Sequence, residues 1–525
     1  ETRAMMRFLF VVVCVLSVQG REEFPLERQW GPEPSILLPT PIEHFRLVDV
    51  YNVSSKQQNM LFRGGDPDQG RGDAFSYDLV VESMRIRAQE AGYTFPDTFY
   101  MIDLDFLNDY DDTKNNNGEF LYFQENPDKG EYVFWETHGQ DDDPLNPDLP
   151  SEFQTYMAKT YPTWGQVPVA WRVDKMREYL TQENDIPIMI FGHCICGCDR
   201  TGEMFGSYSL KWLGDSWENV SQTDENIAGR EISCGEYLGM MWYCFYLKNT
   251  DPASFGDLDC EKSYQPDCND EDSEQREEIG KKEKPATTSS SVENVYYVDS
   301  VILSNKNQNF LFRGGDPDTT GYYEFNYDGV VSAMQAAAKD AGQELPNNFT
   351  LIDVTTLGIH TGNDVFRSSN EYAYFQSNPS QGEFWFWEVY GEGDDPLNPI
   401  RLPDRFDQMV TDYKTWSHDL LTFRVHELIE TLHSDNNTLP VVIFAHDRYG
   451  YHEVSDLIGA YMLQGMNMTW EQVNSVNMNI AGGEVPCDYY FATMWYCYYL
   501  QANVNGYSGL TCDYEYQPDC HDTDS

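Results

Sequence analysis

The sequence contains few basic residues. Only 34 of its 525 residues are Lys or Arg, whereas 87 are Asp or Glu, so the formal net charge is −53. A chain this negative repels nucleic acid and anionic membrane surfaces. We therefore predict no nucleic-acid partner, and we expect a phosphorylated ligand to bind only where cationic or N–H groups converge locally.

Long apolar runs are also missing. The stretch from Phe8 to Leu16 follows Met5-Met6-Arg7, and it is too short to span a bilayer comfortably. This pattern predicts a secretory signal peptide over residues 1–20, with Glu1 to Ala4 as an upstream extension. No other segment of the sequence approaches transmembrane length, so we predict a secreted protein without a transmembrane anchor. Five N-x-S/T sequons are candidate glycosylation sites: Asn52, Asn219, Asn348, Asn436 and Asn467.

The chain repeats itself. Leu61 to Asp68 recurs as Leu311 to Asp318, an offset of 250, and further segments recur at offsets of up to 253. This self-similarity predicts two copies of one unit, 43–268 and 293–525, joined by an acidic, Ser/Thr-rich linker over 269–292. Strand-like and helix-like segments alternate within each copy. The predicted class is therefore α/β, with a mainly parallel central sheet flanked by helices in each domain.

Most cysteines follow the repeat. Two sets of four have nearly the same spacing: Cys234, Cys244, Cys260 and Cys268 in the first copy, and Cys487, Cys497, Cys512 and Cys520 in the second. Four cysteines in each unit of a secreted chain predict two disulfides, with three possible pairings. We predict the pairs Cys234–Cys244 and Cys260–Cys268.

One stretch carries the chemistry. The apolar run Ile186 to Ile190 is followed by Phe191 to Glu203, FGHCICGCDRTGE. A short buried strand, a Gly-containing loop and a helix start predict successive N–H groups that point into one anion-binding hollow. Cys194 opens this loop and Arg200 closes it. A thiol and a guanidinium at these positions face the same bound group, and the local field favours the nucleophilic thiolate.

These residues resemble the signature loop of the cysteine-dependent phosphatases, the superfamily of tyrosine and dual-specificity phosphatases. The resemblance implies that Cys194 forms a phosphocysteine, that Arg200 binds the transition state and that Thr201 hydrogen-bonds the thiolate. It also implies that the substrate phosphate is bound by the loop residues Ile195, Cys196, Gly197 and Cys198. Phosphorylated proteins and inositol phosphates both fit this chemistry, which requires no metal or organic cofactor.

The three loop cysteines also allow a different interpretation, as metal ligands or structural disulfides. No His or Cys pair lies nearby to complete a zinc site. Cys194, Cys196 and Cys198 form an odd set after the two frameworks of four are assigned, so one thiol stays unpaired or bonds elsewhere. A free Cys194 satisfies that count.

The usual general acid of these phosphatases is missing from its expected place. Tyr161 to Pro168 is similar to the family's Trp-Pro-Asp loop, but Thr163 stands 31 residues before Cys194, where the acid is expected. Asp199 is our first candidate for the acid or for a substrate contact, because its D-R-T context is similar to that of lipid-phosphatase loops. The alternative for Asp199 is a surface carboxylate that shapes the loop. Asp142 and Asp143 recur in the second copy, which favours a structural turn.

The second copy lacks the reactive residues. Asp447 stands where the first copy has Cys194, and Glu453 stands where it has Arg200. A carboxylate cannot form the phosphocysteine and a second one repels a phosphoryl group, so this copy resembles a pseudophosphatase. The alternative for the whole chain is an inert extracellular structural or binding glycoprotein that uses the same fold for self-assembly or for a glycoprotein partner.

Overall fold

Each copy of the repeat forms its own five-stranded sheet. The computed structural model describes residues 42–54, 57–67, 75–107, 118–263, 292–317, 324–359, 362–392, 395–396, 405–513 and 520. All of them belong to one compact unit, Pro41–Ser525. The predicted signal peptide, most of the predicted linker (269–291) and Cys268 lie outside the described residues.

The first sheet has the strand order β1-β2-β5-β3-β4. Its strands are β1 (Arg46–Ser54), β2 (Gln57–Gly65), β3 (Tyr100–Asp105), β4 (Gly130–Phe134) and β5 (Ile188–Cys194). Only the β1–β2 pair is antiparallel. Every residue of β5 is buried, because a central parallel strand has both faces covered by helices. This explains the continuous apolar run in the sequence.

Helices cover the first sheet on both faces. They are α1 (Tyr77–Glu90), α2 (118–125), α3 (Ser151–Trp164), α4 (Val169–Thr181), α5 (Asp199–Tyr208, continued by a π-helical turn Ser209–Leu213), α6 (Trp217–Ala228), α7 (Cys234–Thr250) and α8 (Pro252–Phe255). The aromatic segment of α7 is almost entirely buried. Its side chains, with Met241 and Trp242 among them, are part of the hydrophobic core.

The second copy repeats this architecture with the strand order β6-β7-β10-β8-β9. Its strands are β6 (Tyr296–Ile302), β7 (Gln308–Gly314), β8 (Thr350–Thr355), β9 (Gly382–Phe386) and β10 (Val441–His446). Its helices are α9 (Tyr327–Asp340), α10 (Gly362–Ser377), α11 (Phe406–Trp416), α12 (Leu421–His433), α13 (Glu453–Gln464), α14 (Trp470–Ala481) and α15 (Cys487–Asn503). The predicted α/β class with two mainly parallel sheets is confirmed.

The two copies pack against each other along a seam with approximate two-fold symmetry. Among the hydrogen bonds that cross it, four form two equivalent pairs, in which each residue is matched by its repeat partner at an offset of 252. In the first pair, Arg172 Nη2 donates to Thr415 O (2.9 Å) and Arg424 Nη2 donates to Thr163 O (3.2 Å). In the second pair, Tyr156 Oη donates to Phe384 O (3.0 Å) and Gln408 Nε2 donates to Tyr132 O (3.4 Å). The seam is thus isologous, like the interface of a symmetric homodimer.

Aromatic side chains fill the seam in the same symmetric way. Trp164 of α3 lies 5.5 Å from Phe386 of β9, and Trp416 of α11 lies 6.4 Å from Phe134 of β4, measured between ring centroids. Both indoles are fully buried. The hydrophobic core therefore continues from one copy into the other, a contact that the sequence does not indicate.

The predicted disulfide pairing is wrong. Cys244 bonds to Cys260, while Cys497 bonds to Cys512 and Cys487 to Cys520. Cys234 and Cys244 lie ten residues apart on α7, and a helical rise of 1.5 Å per residue separates them by about 15 Å. A disulfide requires Cα atoms within about 7 Å. Within the described part of the chain, the bonds instead tie the last long helix of each copy to the segment that follows it.

Candidate active site

The signature loop lies at the carboxyl end of the central strand. Strand β5 ends at Cys194 and α5 begins at Asp199. The carboxyl ends of parallel strands and the start of the next helix form the usual ligand-binding crevice of α/β sheets. Gly197 has φ +72°, and a Cβ there would lie 2.3 Å from the backbone of Gly64 at the end of β2. Only glycine fits this position.

Cys194 is the free thiol of the loop. It is the free cysteine among the described residues, and it is buried with 3% of its surface exposed. The sulfur atoms of Cys196 and Cys198 are paired with each other. This arrangement leaves Cys194 without a disulfide partner, as the odd cysteine count predicts.

Arg200 and Thr201 occupy the first turn of α5. Arg200 is half-buried and Thr201 is fully buried. The hydroxyl of Thr201 has no hydrogen-bond partner among the described residues, so it is available to a group bound in the loop. Burial raises the pKa of Glu236, and the hydrogen bond from Ser233 and the charge of Arg200 oppose this shift. Glu236 is thus a buried carboxyl group beside Arg200 that sequence reasoning missed.

Asp199 is held by donors from a neighbouring segment. Arg230 donates to both of its carboxylate oxygens, at 2.9 and 2.7 Å, and the backbone N–H of Ser233 donates to Oδ1 at 2.9 Å. These contacts tie the start of α5 to the segment before α7. The acid or substrate-contact role of Asp199 stays a prediction, and the geometry is also that of a carboxylate that shapes the loop.

The loop of the second copy binds its own carboxylate. Asp447 accepts hydrogen bonds from the backbone N–H groups of Tyr449 (2.7 Å), His452 (2.8 Å), Val454 (3.1 Å) and Gly450. Four amides from the loop and the first turn of α13 thus converge on an anion, which is the nest geometry expected of a phosphate-binding loop. In this copy the anion is a side chain of the loop itself.

Glu453 replaces the loop arginine with a second acidic group. Burial raises the pKa of Glu453 to about 8, with a further contribution from the charge of Asp447. The second loop therefore contains one carboxylate bound by amides and one buried carboxyl group whose pKa is raised. Neither group can take the part of a thiolate or a guanidinium.

An arginine on β2 is hydrogen-bonded to the backbone of the first loop and supports it. Arg63 donates to Asp224 of α6 at 2.5 Å and to the carbonyl of Gly197 at 3.1 Å, and both charged side chains are buried. The equivalent Arg313 donates to Asn477 and to the carbonyl of Gly450. Arg63 and Arg313 lie in the segments that recur between the copies, Leu61 to Asp68 and Leu311 to Asp318. This recurrence was the sequence signal for the support, although the partner residues could not be inferred.

A buried triad lies beneath each loop. His193 Nε2 is 3.4 Å from Asp103 and 3.4 Å from Glu119, and all three side chains have no exposed surface. Burial disfavours the imidazolium, but the two carboxylates raise the pKa of His193 well above its ordinary value. His446 has the same environment in the second copy. Because the triad is present in both copies, we assign it a structural role in supporting the loop. This role is independent of the reactive residues that differ between the two loops.

The stretch that resembles a Trp-Pro-Asp loop has a different location. Thr163 is in the last turn of α3, where its hydroxyl donates to Thr160 O at 2.8 Å and its carbonyl accepts from Arg424. It thus belongs to the seam. Asp143 Oδ1 accepts from the backbone N–H of Leu145 at 2.8 Å, which is a turn contact of the kind predicted for that residue.

The five sequon asparagines, Asn52, Asn219, Asn348, Asn436 and Asn467, are all exposed. Their glycosylation stays a prediction. In the described part of the chain, no helix is both long and apolar enough to cross a membrane.

Comparisons with known proteins give only distant similarities. No protein-family model matches the chain, and no curated protein matches it. Among solved structures, the chain is similar to the PTP-2 phosphatase of Cydia pomonella, with 15% identity, 37% of this chain and 88% of that chain covered, and a TM-score of 0.18.

Two structures from Mitsuokella multacida are also similar. One is a tandemly repeated protein tyrosine phosphatase-like phytase, with 10% identity, 89% of this chain and 94% of that chain covered. The other is a PTP-like myo-inositol phosphatase in complex with myo-inositol-(1,3,4,5)-tetrakisphosphate, with 11% identity, 90% of this chain and 95% of that chain covered. Both TM-scores are 0.26. Similarities this low identify no activity, so the following proposals depend on the chain's own residues.

Proposed function

We propose that the first copy is a secreted, cysteine-dependent phosphomonoesterase and that the second copy is catalytically inert. The observation that carries the proposal is the carboxylate of Asp447, on which four loop amides converge. Cys194 holds the equivalent position in the sequence of the first loop, where we infer that the loop amides take a phosphoryl group as their anion. A phosphoryl group bound by those amides is placed against the Cys194 sulfur.

The reaction has two steps. The Cys194 thiolate attacks phosphorus, the S–P bond forms, and the bond from phosphorus to the leaving oxygen breaks as that oxygen takes a proton. Water then attacks phosphorus, the S–P bond breaks, and inorganic phosphate and the thiolate are released. Arg200 and the loop amides bind the equatorial oxygens, where negative charge is stabilised in the transition state. Phosphorylated proteins and inositol phosphates are the two proposed substrate classes.

Two carboxyl groups are candidates for the proton donor. Asp199 adjoins Arg200, but its oxygens accept hydrogen bonds from Arg230 and Ser233. Glu236 is buried, and burial raises its pKa, which favours the protonated form that an acid requires. Replacing the true acid by its amide slows hydrolysis of an alkyl phosphate far more than hydrolysis of an aryl phosphate, because the aryl oxide leaves without protonation.

The experiment that tests the function is hydrolysis of an aryl phosphate by the purified protein. We expect Cys194→Ser and Arg200→Ala to abolish turnover, whereas Asp447→Ala retains it. Equal activity of the wild type and Cys194→Ser would remove the enzyme proposal and leave the inert extracellular glycoprotein. That alternative is favoured by one observation, the almost complete burial of Cys194.

Secretion and glycosylation are further parts of the proposal. The disulfides Cys244–Cys260 and Cys497–Cys512 join equivalent positions of the two frameworks, and the sequon asparagines are exposed. Disulfides of this kind persist in oxidising compartments. Expression in a secreting cell, followed by glycosidase treatment and mass measurement, tests both features.

A further inference from the structure

Three ligand-type side chains meet at the seam between the two copies. Glu136 and His138 follow β4 in the first copy, and His418 lies between α11 and α12 in the second. Their ligand atoms all lie within 4.8 Å of one another. His138 Nε2 is 2.8 Å from Glu136 Oε1, and His418 Nε2 is 3.8 Å from Glu136 Oε2.

The ring nitrogen Nε2 of His418 faces this cluster and accepts or donates no hydrogen bond among the described residues. The His418 side chain is only 8% exposed. Glu392 lies behind the ring, with Oε2 3.4 Å from Nδ1, and its Oε1 accepts from the backbone N–H of His418 at 3.1 Å. A carboxylate behind one ring nitrogen fixes the tautomer that offers the other nitrogen to a metal.

The equivalent positions on the other side of the seam give an internal comparison. Glu388 and Tyr390 correspond to Glu136 and His138. Gln166 and Gln140 correspond to His418 and Glu392. There Gln140 donates to the Tyr390 hydroxyl at 2.5 Å and accepts from the backbone N–H of Gln166 at 3.1 Å. The hydrogen bond from Gln140 to Tyr390 joins the two copies on this half of the seam, whereas two histidines and two glutamates occupy the other half.

We propose that Glu136, His138 and His418 bind one Zn²⁺ ion at the seam, with Glu392 as the outer carboxylate that orients His418. Two imidazole nitrogens and one carboxylate oxygen are a known donor set for zinc. Tetrahedral Zn²⁺ with bonds of about 2.0–2.1 Å separates neighbouring ligand atoms by about 3.3 Å. The distance from His138 Nε2 to Glu136 Oε1 (2.8 Å) and the distance from His418 Nε2 to Glu136 Oε2 (3.8 Å) lie on either side of that value, and a small rotation of the carboxylate presents one oxygen to both rings.

The fourth ligand of this site is water. His138 is 28% exposed and provides the opening to solvent, while Glu136 and His418 are almost completely buried. The ion thus joins the segment after β4 in the first copy to the segment before α12 in the second. The proposal does not depend on the phosphatase function, because the signature loop contributes no ligand.

Zinc binding to the purified full chain tests the proposal. Cys194→Ser serves as the background, so that the loop thiol cannot bind metal. After dialysis against a chelator, we expect zinc titration to show one tight site per chain and to raise the melting temperature. Glu392→Gln should weaken binding by about 10- to 100-fold, and His418→Gln should weaken it further.

The variant His418→Gln introduces the residue found at the equivalent position, Gln166, which the same fold accommodates. His426→Gln is the matched control, because His426 is exposed on α12 and lies outside the cluster. X-ray absorption at the zinc edge of the background protein gives a second readout that needs no ligand variant. The site is supported if the spectrum of the background protein shows only nitrogen and oxygen donors around zinc and if His418→Gln loses this signal.

Three results would overturn the proposal: sulfur in the zinc coordination shell, no tight binding by a folded background protein, or equally tight binding by His418→Gln and His426→Gln.

Discussion

The most revealing perturbation in the second copy is Asp447→Ala, which removes the anion from a loop built to bind one. Four backbone N–H groups lose their acceptor: those of Tyr449, Gly450, His452 and Val454. A buried donor without a partner costs roughly 1–3 kcal/mol, and donors to a charged group lie at the upper end. Water entering the vacated space satisfies part of the loss, so we expect the free energy of unfolding to fall by about 3–5 kcal/mol.

Formate then provides the direct assay of the mechanism. A small carboxylate occupies the space that the Asp447 side chain leaves, so formate should raise the melting temperature of Asp447→Ala above the rise seen with equimolar chloride. The wild type should respond equally to both salts. Asp435→Ala is the matched control, because Asp435 also accepts hydrogen bonds from one segment, through Ser304, but is exposed.

Two outcomes would refute this reasoning. One is an Asp447→Ala protein as stable as Asp435→Ala, which would mean that the amides do not depend on the carboxylate. The other is the same formate response in the wild type and the variant, which would mean that formate binds elsewhere.

Two further predictions concern the support of the first loop and the seam. Burial raises the pKa of Asp224 from 3.8 to about 6, although Arg63 opposes the shift. A carboxyl group whose pKa is raised on folding stabilises the folded protein below about pH 4, where the group is protonated. This stabilisation, about 3 kcal/mol, is lost as the pH rises through about 6. Asp224→Asn should therefore flatten the pH dependence of the unfolding free energy over this interval, and an unchanged slope in urea titrations would contradict it. Trp164→Ala should destabilise the protein by about 3–5 kcal/mol, and its repeat partner Trp416→Ala by a similar amount, in a single calorimetric transition because the core is continuous. Two separate transitions, of which each variant shifts only one, would show that the seam does not couple the copies.

The sequence predicted the features that arise from local pattern and from repetition. The apolar run before His193 predicted a buried strand, and the Gly-containing loop predicted a turn into a helix; β5 and α5 have this arrangement. The offset between the copies predicted two sheets of the same kind, and the sheets have equivalent strand orders. Such features depend on residues close together in the chain or on comparison of one copy with the other.

Features that depend on long-range contacts could not be predicted in this way. Arg63 and Asp224 are 161 residues apart, and no local pattern links them. The disulfide pairing depended on where α7 places Cys244 relative to Cys260, and spacing alone favoured shorter loops. Thr163 was compared with a catalytic loop because of its neighbours in sequence, whereas the position of α3 places it in the seam.

The proposed function depends on phosphorylation of the Cys194 sulfur during turnover. Rapid acid quenching of the protein with an aryl phosphate, followed by mass spectrometry of its peptides, measures this directly. We expect one phosphoryl group on the peptide that carries Cys194, and none in Cys194→Ser. Hydrolysis without that label, or a label on any other residue, would contradict it.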